Sequence, residues 1–99
     1  MKLKIDLVVT RHPALLTVLI ERGLVDTNTP IVTHASEEQV RGKHVLGVLP
    51  HRLSSLCGLY TELAVNVPAH MRGRELTVEQ VRAYASDPVT YSVAVVDLF

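Results

Sequence analysis

Five histidines are spread through a 99-residue chain, and four of them come just after an apolar run, three of these with arginine or proline close by. Thr10-Arg11-His12-Pro13 follows Leu7-Val8-Val9, His34 follows Ile31-Val32-Thr33, and Pro50-His51-Arg52 follows Val45 to Leu49. The fourth group, His70 with Arg72 and Arg74, comes after a run ending at Val67. Imidazole can move or orient a proton. Guanidinium offers a planar fork of donors that matches phosphate oxygens. A strand that feeds a helix through such a turn also aims free backbone N–H groups at whatever sits there. The chemistry these residue types can do together is therefore capture of an anion, with proton transfer beside it.

The elements that must position them follow from periodicity. Residues 3–9 alternate and then become wholly apolar, as a strand entering a covered sheet does. Pro13 suits the first position of a helix that carries Leu15, Leu16, Val18, Leu19 and Ile20, and Gly23 is its cap. A loop by composition, 26–30, leads to a short strand, Ile31 to His34. Ser36 and Gln39 then have capping-box spacing for one or two helical turns. Lys43 to Leu49 reads as a third strand, Pro50 to Leu56 as a helical start, and Gly58 to Val67 as a fourth strand. Thr77 with Gln80 caps a further helix bearing Val78, Val81, Tyr84 and Ala85 on one face, and 89–95 alternates as a last strand of undetermined direction.

Alternating strands and helices predict a single α/β domain over 1–99, a Rossmann-like open, mostly parallel sheet of about five strands with helices on both faces. In such a sheet the carboxyl ends of the strands share one edge, where ligands bind. Thr10, Arg11, His12, His34, Pro50, His51, Arg52, His70, Arg72 and Arg74 all fall at that edge; His44, which starts a strand, does not.

The remaining features narrow the function class. Ten Lys plus Arg balance ten Asp plus Glu, so no global field recruits duplex nucleic acid, and the anion site must be local. One Phe, three Tyr and no Trp leave few platforms for stacking single strands. The chain has no HExxH, no paired cysteines, no GxGxxG, no P-loop and no Gly-x-Ser-x-Gly elbow, so no metal and no cofactor is expected. Cys57, between Leu56 and Gly58, reads as a buried inert thiol suited to a reducing cytoplasm. Lys2, Lys4 and Asp6 interrupt any signal-peptide core, and no apolar run is long enough to span a membrane. An apolar fraction of 47% in so small a domain points to a covered surface, and hence to a homodimer.

Thr10-Arg11-His12-Pro13, Gly47-Val48-Leu49-Pro50 and the stretch from Pro68 through Arg72-Gly73-Arg74-Glu75-Leu76 together resemble a family of small Csx-type accessory proteins encoded beside type III CRISPR systems. The likeness covers nearly the whole chain and is looser over 26–42. The family usually carries Ser-Arg-His-Pro, and Thr10 keeps the hydroxyl. The resemblance implies a dimeric ring nuclease that opens a cyclic oligoadenylate second messenger, foremost cyclic tetra-adenylate, and so ends antiviral signalling. The implied chemistry is metal-independent: a ribose 2′-hydroxyl attacks its own phosphate, leaving a 2′,3′-cyclic phosphate. On that scheme Arg11 stabilises charge, His12 acts as general base or hydrogen-bond orienter, and Thr10 holds phosphate. Arg72 and Arg74 hold or close over the ring, with His51 and Arg52 assisting and His34, Pro50 and His70 also in the binding edge. Three other readings stay open: a non-catalytic sensor of the same messenger, an enzyme acting on another phosphorylated metabolite, and a structural interaction module.

Overall fold

A computed structural model describes residues 4–99, so the readings that rest on Met1, Lys2 and Leu3 lie outside the described residues. The elements are β1 (Leu7–Val9), α1 (Pro13–Glu21), β2 (Ile31–Val32), α2 (Glu37–Val40), β3 (His44–Gly47), α3 (His51–Ser54), β4 (Leu59–Glu62), α4 (Val78–Tyr84) and β5 (Val89–Tyr91). A 3₁₀ turn, Ala69–Met71, interrupts the connection from β4 to α4. The five strands form one sheet in the order β2-β1-β3-β4-β5. β1 pairs in parallel with β2 and with β3, and β3 in parallel with β4. Only β5 runs antiparallel, with Tyr60 opposite Tyr91 and Thr61 opposite Thr90.

The apolar run of β1 is explained by its central place, since a strand covered on both faces has no solvent side to make polar. Val8 faces a core formed with Ile5, Leu19, Val25, Leu46 and Leu63, against which Leu15 and Leu16 of α1 and Ala85 after α4 also pack. Leu7 faces the opposite core, with Val40 of α2, Val45 of β3 and Leu53 of α3. Helices thus cover both faces, as the alternation of elements predicts.

Local signals act where the sequence places them. Pro13 stands at the first turn of α1. Gly23 ends that helix with φ 71°: its N–H donates to the Ile20 carbonyl and the Leu24 N–H to the Leu19 carbonyl, both at 3.0 Å. Those two bonds satisfy carbonyls that the helix end would otherwise leave open, and they need a left-handed residue that costs glycine little. Both capping boxes form, Ser36 with Gln39 and Thr77 with Gln80. α4 is tied to α1 by Arg82, whose guanidinium donates to both carboxylate oxygens of Glu21 at 3.0 and 2.6 Å. That hydrogen-bonded cation holds the exposed Glu21 carboxyl below its ordinary 4.5.

The strands are shorter than the apolar runs that announce them. Strand pairing of the first run covers only Leu7–Val9, and β2 stops before His34. β3 ends at Gly47, leaving Val48 exposed. The fourth run leaves the sheet after Glu62: Val65 instead bridges Ala85, and Asn66 donates its N–H to the Tyr84 carbonyl at 3.0 Å. The last strand pairs only over Val89–Tyr91, not to residue 95.

His44, set aside as a site residue, is buried structure. Its Nδ1–H donates to the Lys4 carbonyl at 3.0 Å, because a carbonyl can only accept. Its Nε2 lies 2.6 Å from the Thr61 hydroxyl, and Thr61 meets the Thr90 hydroxyl at 2.8 Å. The chain of polar groups links β3, β4 and β5. Val89 and Tyr91 of β5 are exposed, as are Val95, Val96, Leu98 and Phe99 after it.

Candidate active site

The sheet order reverses direction at β1 and β3: the chain goes outward from β1 to β2, then crosses back to β3 on the other side. Connections that leave in opposite directions cannot fill the space between them, so a crevice opens at the carboxyl ends of those two strands. A cavity of about 560 Å³ lies there. Its walls include Thr10, Arg11 and His12 after β1, Thr33, His34 and Ala35 after β2, and Gly47, Val48, Leu49 and Pro50 after β3. Leu15, Leu53, Leu63 and Val65 contribute apolar surface below. The volume lies within the usual range for small-ligand sites, which is roughly 300–1,000 Å³.

Three polar side chains are organised around the β1 turn. The Thr10 hydroxyl accepts the His12 backbone N–H at 3.1 Å, which folds the turn tightly and leaves the hydroxyl proton free to donate. His12 occupies the position just before α1 with an extended backbone, and its side chain makes no capping bond. Its imidazole is therefore not consumed by the helix. Arg11 reaches 23 residues down the chain, placing Nη2 3.0 Å from Nε2 and 3.3 Å from Nδ1 of His34. A guanidinium has no lone pair to offer, so an unprotonated nitrogen of His34 is the acceptor. The contact props Arg11 while its other N–H groups remain available at the cavity.

The loop after β3 is fixed from beneath. Tyr60 is buried, its hydroxyl donates to the Gly47 carbonyl at 2.9 Å, and it accepts the Leu49 N–H at 2.8 Å. Burial pushes the Tyr60 phenol above its ordinary 10.0. Gly47 itself is required by close approach: a Cβ there would lie 2.6 Å from the Val9 carbonyl oxygen. Neither residue was singled out as a site residue in the sequence. A tyrosine within a strand of the sheet is the signal that could find the first, since a buried hydroxyl must have a partner.

The other site residues divide. Arg72 and Arg74 line a second cavity, about 260 Å³, that also touches His12. Pro50 lines the main cavity and precedes α3. His51, Arg52 and His70 line neither cavity. Arg52 is turned to Glu37, with Nη1 donating to Oε1 at 2.8 Å, and so joins α3 to α2. His70 lies in the exposed 3₁₀ turn. Cys57 is half-buried, and burial raises its thiol above the ordinary 9.0. Among the described residues no three His, Cys, Asp or Glu side chains gather as a metal-binding group, and no helix is long and apolar enough to cross a membrane.

The model of the family described as "Putative CRISPR-associated protein (Cas_VVA1548)" matches residues 7–94. The chain belongs to that family. The matched span of this CRISPR-associated protein runs from the first residue of β1 to beyond β5, and so contains every residue of both cavities. No curated protein and no solved structure matches the chain.

Proposed function

We propose that this CRISPR-associated protein is a ring nuclease that opens a cyclic oligoadenylate, foremost cyclic tetra-adenylate. The observation that carries the reading is the Thr10-Arg11-His12 turn, propped by His34 and open to the cavity at the switch of the sheet. Self-cleavage of an RNA phosphodiester asks little of a protein. The ribose 2′-oxygen attacks the adjacent phosphorus, the bond to the 5′-oxygen breaks, and a 2′,3′-cyclic phosphate and a 5′-hydroxyl result. The nucleophile belongs to the substrate, so catalysis reduces to alignment, stabilisation of the phosphorane charge and movement of one proton.

The residues present suit these tasks. Arg11 directs its free N–H groups to the non-bridging oxygens, where negative charge builds. The Thr10 hydroxyl donates to the same phosphate. His12, whose ring is unengaged, takes the 2′-proton or orients the 2′-hydroxyl for attack. None of these steps draws on a metal ion. A homodimer belongs to the proposal: the exposed apolar residues of β5 and the segment after it, Val89, Tyr91, Val95 and Val96, supply a surface of the kind that a second copy would cover. Two sites related by a twofold axis also match a cyclic ligand of even repeat.

The test is incubation of the protein with cyclic tetra-adenylate in the presence of EDTA, with products separated by chromatography. The proposal expects linear adenylates ending in 2′,3′-cyclic phosphate. A ring that is bound but stays intact after many equivalents makes the protein a sensor and overturns the nuclease reading. A ring that is neither bound nor cut, with thermal stabilisation by a sugar phosphate instead, moves the site to another phosphorylated metabolite.

A further inference from the structure

The second cavity adjoins the first, for His12, Leu15 and Val65 line both. At about 260 Å³ it is less than half the volume of its neighbour. Its remaining walls differ in kind. Val67, Met71 and Leu76 are half-buried aliphatic surface, and Arg72 and Arg74 are exposed on the loop that closes it. Gly73 between the two arginines takes φ 81°, which turns the loop sharply at that point. No carboxylate lines this cavity.

That combination selects a ligand. A cation has no partner there, and a wholly polar anion would leave the aliphatic walls bare. What fits is an apolar group joined to a phosphate. Aliphatic walls can clasp an aromatic ring on its faces, and a methionine thioether adds a favourable sulfur contact. Guanidinium groups either stack on a ring or pair with a phosphate beyond it. The volume, about 260 Å³, falls just below the roughly 300 Å³ where sites for whole drug-sized molecules begin, and it has room for one base.

We infer that the second cavity seats a nucleobase, the one attached to the phosphodiester held at Arg11 and His12, while Arg72 and Arg74 take the next phosphate along the strand. The identity of the base as adenine rests on the ring-nuclease reading. His12 then stands between the phosphate it acts on and the base that sets the register of the strand, and the cleaved bond is chosen by an apolar slot rather than by base-edge hydrogen bonds.

Methyl NMR of the full chain tests this directly, with adenosine 5′-monophosphate and ribose 5-phosphate as probes. An adenine ring clasped in the slot moves the Val67 and Leu76 methyl signals upfield by its ring current, and ribose 5-phosphate does not. Burial of the base against the aliphatic walls makes the nucleotide bind about tenfold more tightly than the sugar phosphate. Val67→Trp fills the slot and removes that preference. The assignment is overturned if the nucleotide shifts Leu49 and Leu53 of the larger cavity and leaves Val67 and Leu76 unmoved, or if the two probes bind equally. The outcome is separable from the nuclease reading. Opening of cyclic tetra-adenylate with unmoved Val67 and Leu76 methyls defeats the base subsite alone, and upfield shifts at those methyls without ring opening defeat the nuclease alone.

Discussion

Tyr60→Phe removes a single oxygen, and the structure states what that oxygen does. It donates to the Gly47 carbonyl at 2.9 Å and accepts the Leu49 N–H at 2.8 Å, so one atom pins both ends of the loop that forms a wall of the cavity. Loss of an ordinary hydrogen bond costs about 1 kcal/mol, and a buried N–H left without an acceptor adds about 1–3 kcal/mol. The Leu49 bond is only partly buried, which places the sum near the low end, about 2 kcal/mol. For a domain of this length that corresponds to a fall in Tm of roughly 8–16 °C. Thermal unfolding followed by circular dichroism measures it. The variant has a second signature in alkali. Burial raises the folded pKa of the phenol above its ordinary 10.0, so the folded state keeps a proton that the unfolded chain releases. The tyrosine contribution is complete below about pH 10 and is lost as pH rises through the folded value. Cys57, also raised from 9.0, adds its own alkaline loss, which wild type and variant share. The difference between the two proteins therefore isolates Tyr60 and shrinks above pH 10. A Tm within 2 °C of wild type at pH 7 would refute the claim that Tyr60 fixes the loop.

Gly47→Ala places a Cβ against the Val9 carbonyl oxygen, a backbone atom that can yield only by moving β1 relative to β3; an overpacking cost of about 1–3 kcal/mol is expected in denaturant titration, together with slower ring opening. Arg11→Ala should fold normally, since the side chain is exposed, yet slow single-turnover cleavage of cyclic tetra-adenylate by about 10²–10³, the loss typical of removing one oxyanion donor. Cys57 should react slowly with iodoacetamide at pH 8 in the native protein and quickly in urea, because its half-buried thiol is held above 9.0; equal rates would contradict that environment.

Much of the architecture is legible in local signals because those signals act locally. The proline and glycine that bound α1 and the two capping boxes each satisfy backbone groups within a few residues, so the chain need not be folded to read them. Strand ends are different. Nothing in Leu63-Ala64-Val65 says that the strand stops at Glu62; the reason is Ala85, 20 residues later, which takes Val65 as its partner. The edge shared by the four histidine groups was legible for the same reason as the fold, because a parallel sheet puts all its strand ends on one side. Which side chains turn inward was not. His51, Arg52 and His70 stand near that edge, but Arg52 finds Glu37, a partner 15 residues away, and the other two line no described cavity. The pairing of Arg11 with His34 is likewise a tertiary fact, produced only when β2 comes to lie beside β1.

The most direct test of the account is paired single-turnover incubation of the protein with cyclic tetra-adenylate and with the same ring bearing 2′-deoxyribose throughout, products being identified by mass. Attack by the substrate's own 2′-oxygen at the Arg11–His12 turn predicts that the ribose ring opens to a 2′,3′-cyclic phosphate and that the deoxy ring stays closed. Opening of both rings would require another nucleophile, and survival of the ribose ring would remove the nuclease altogether.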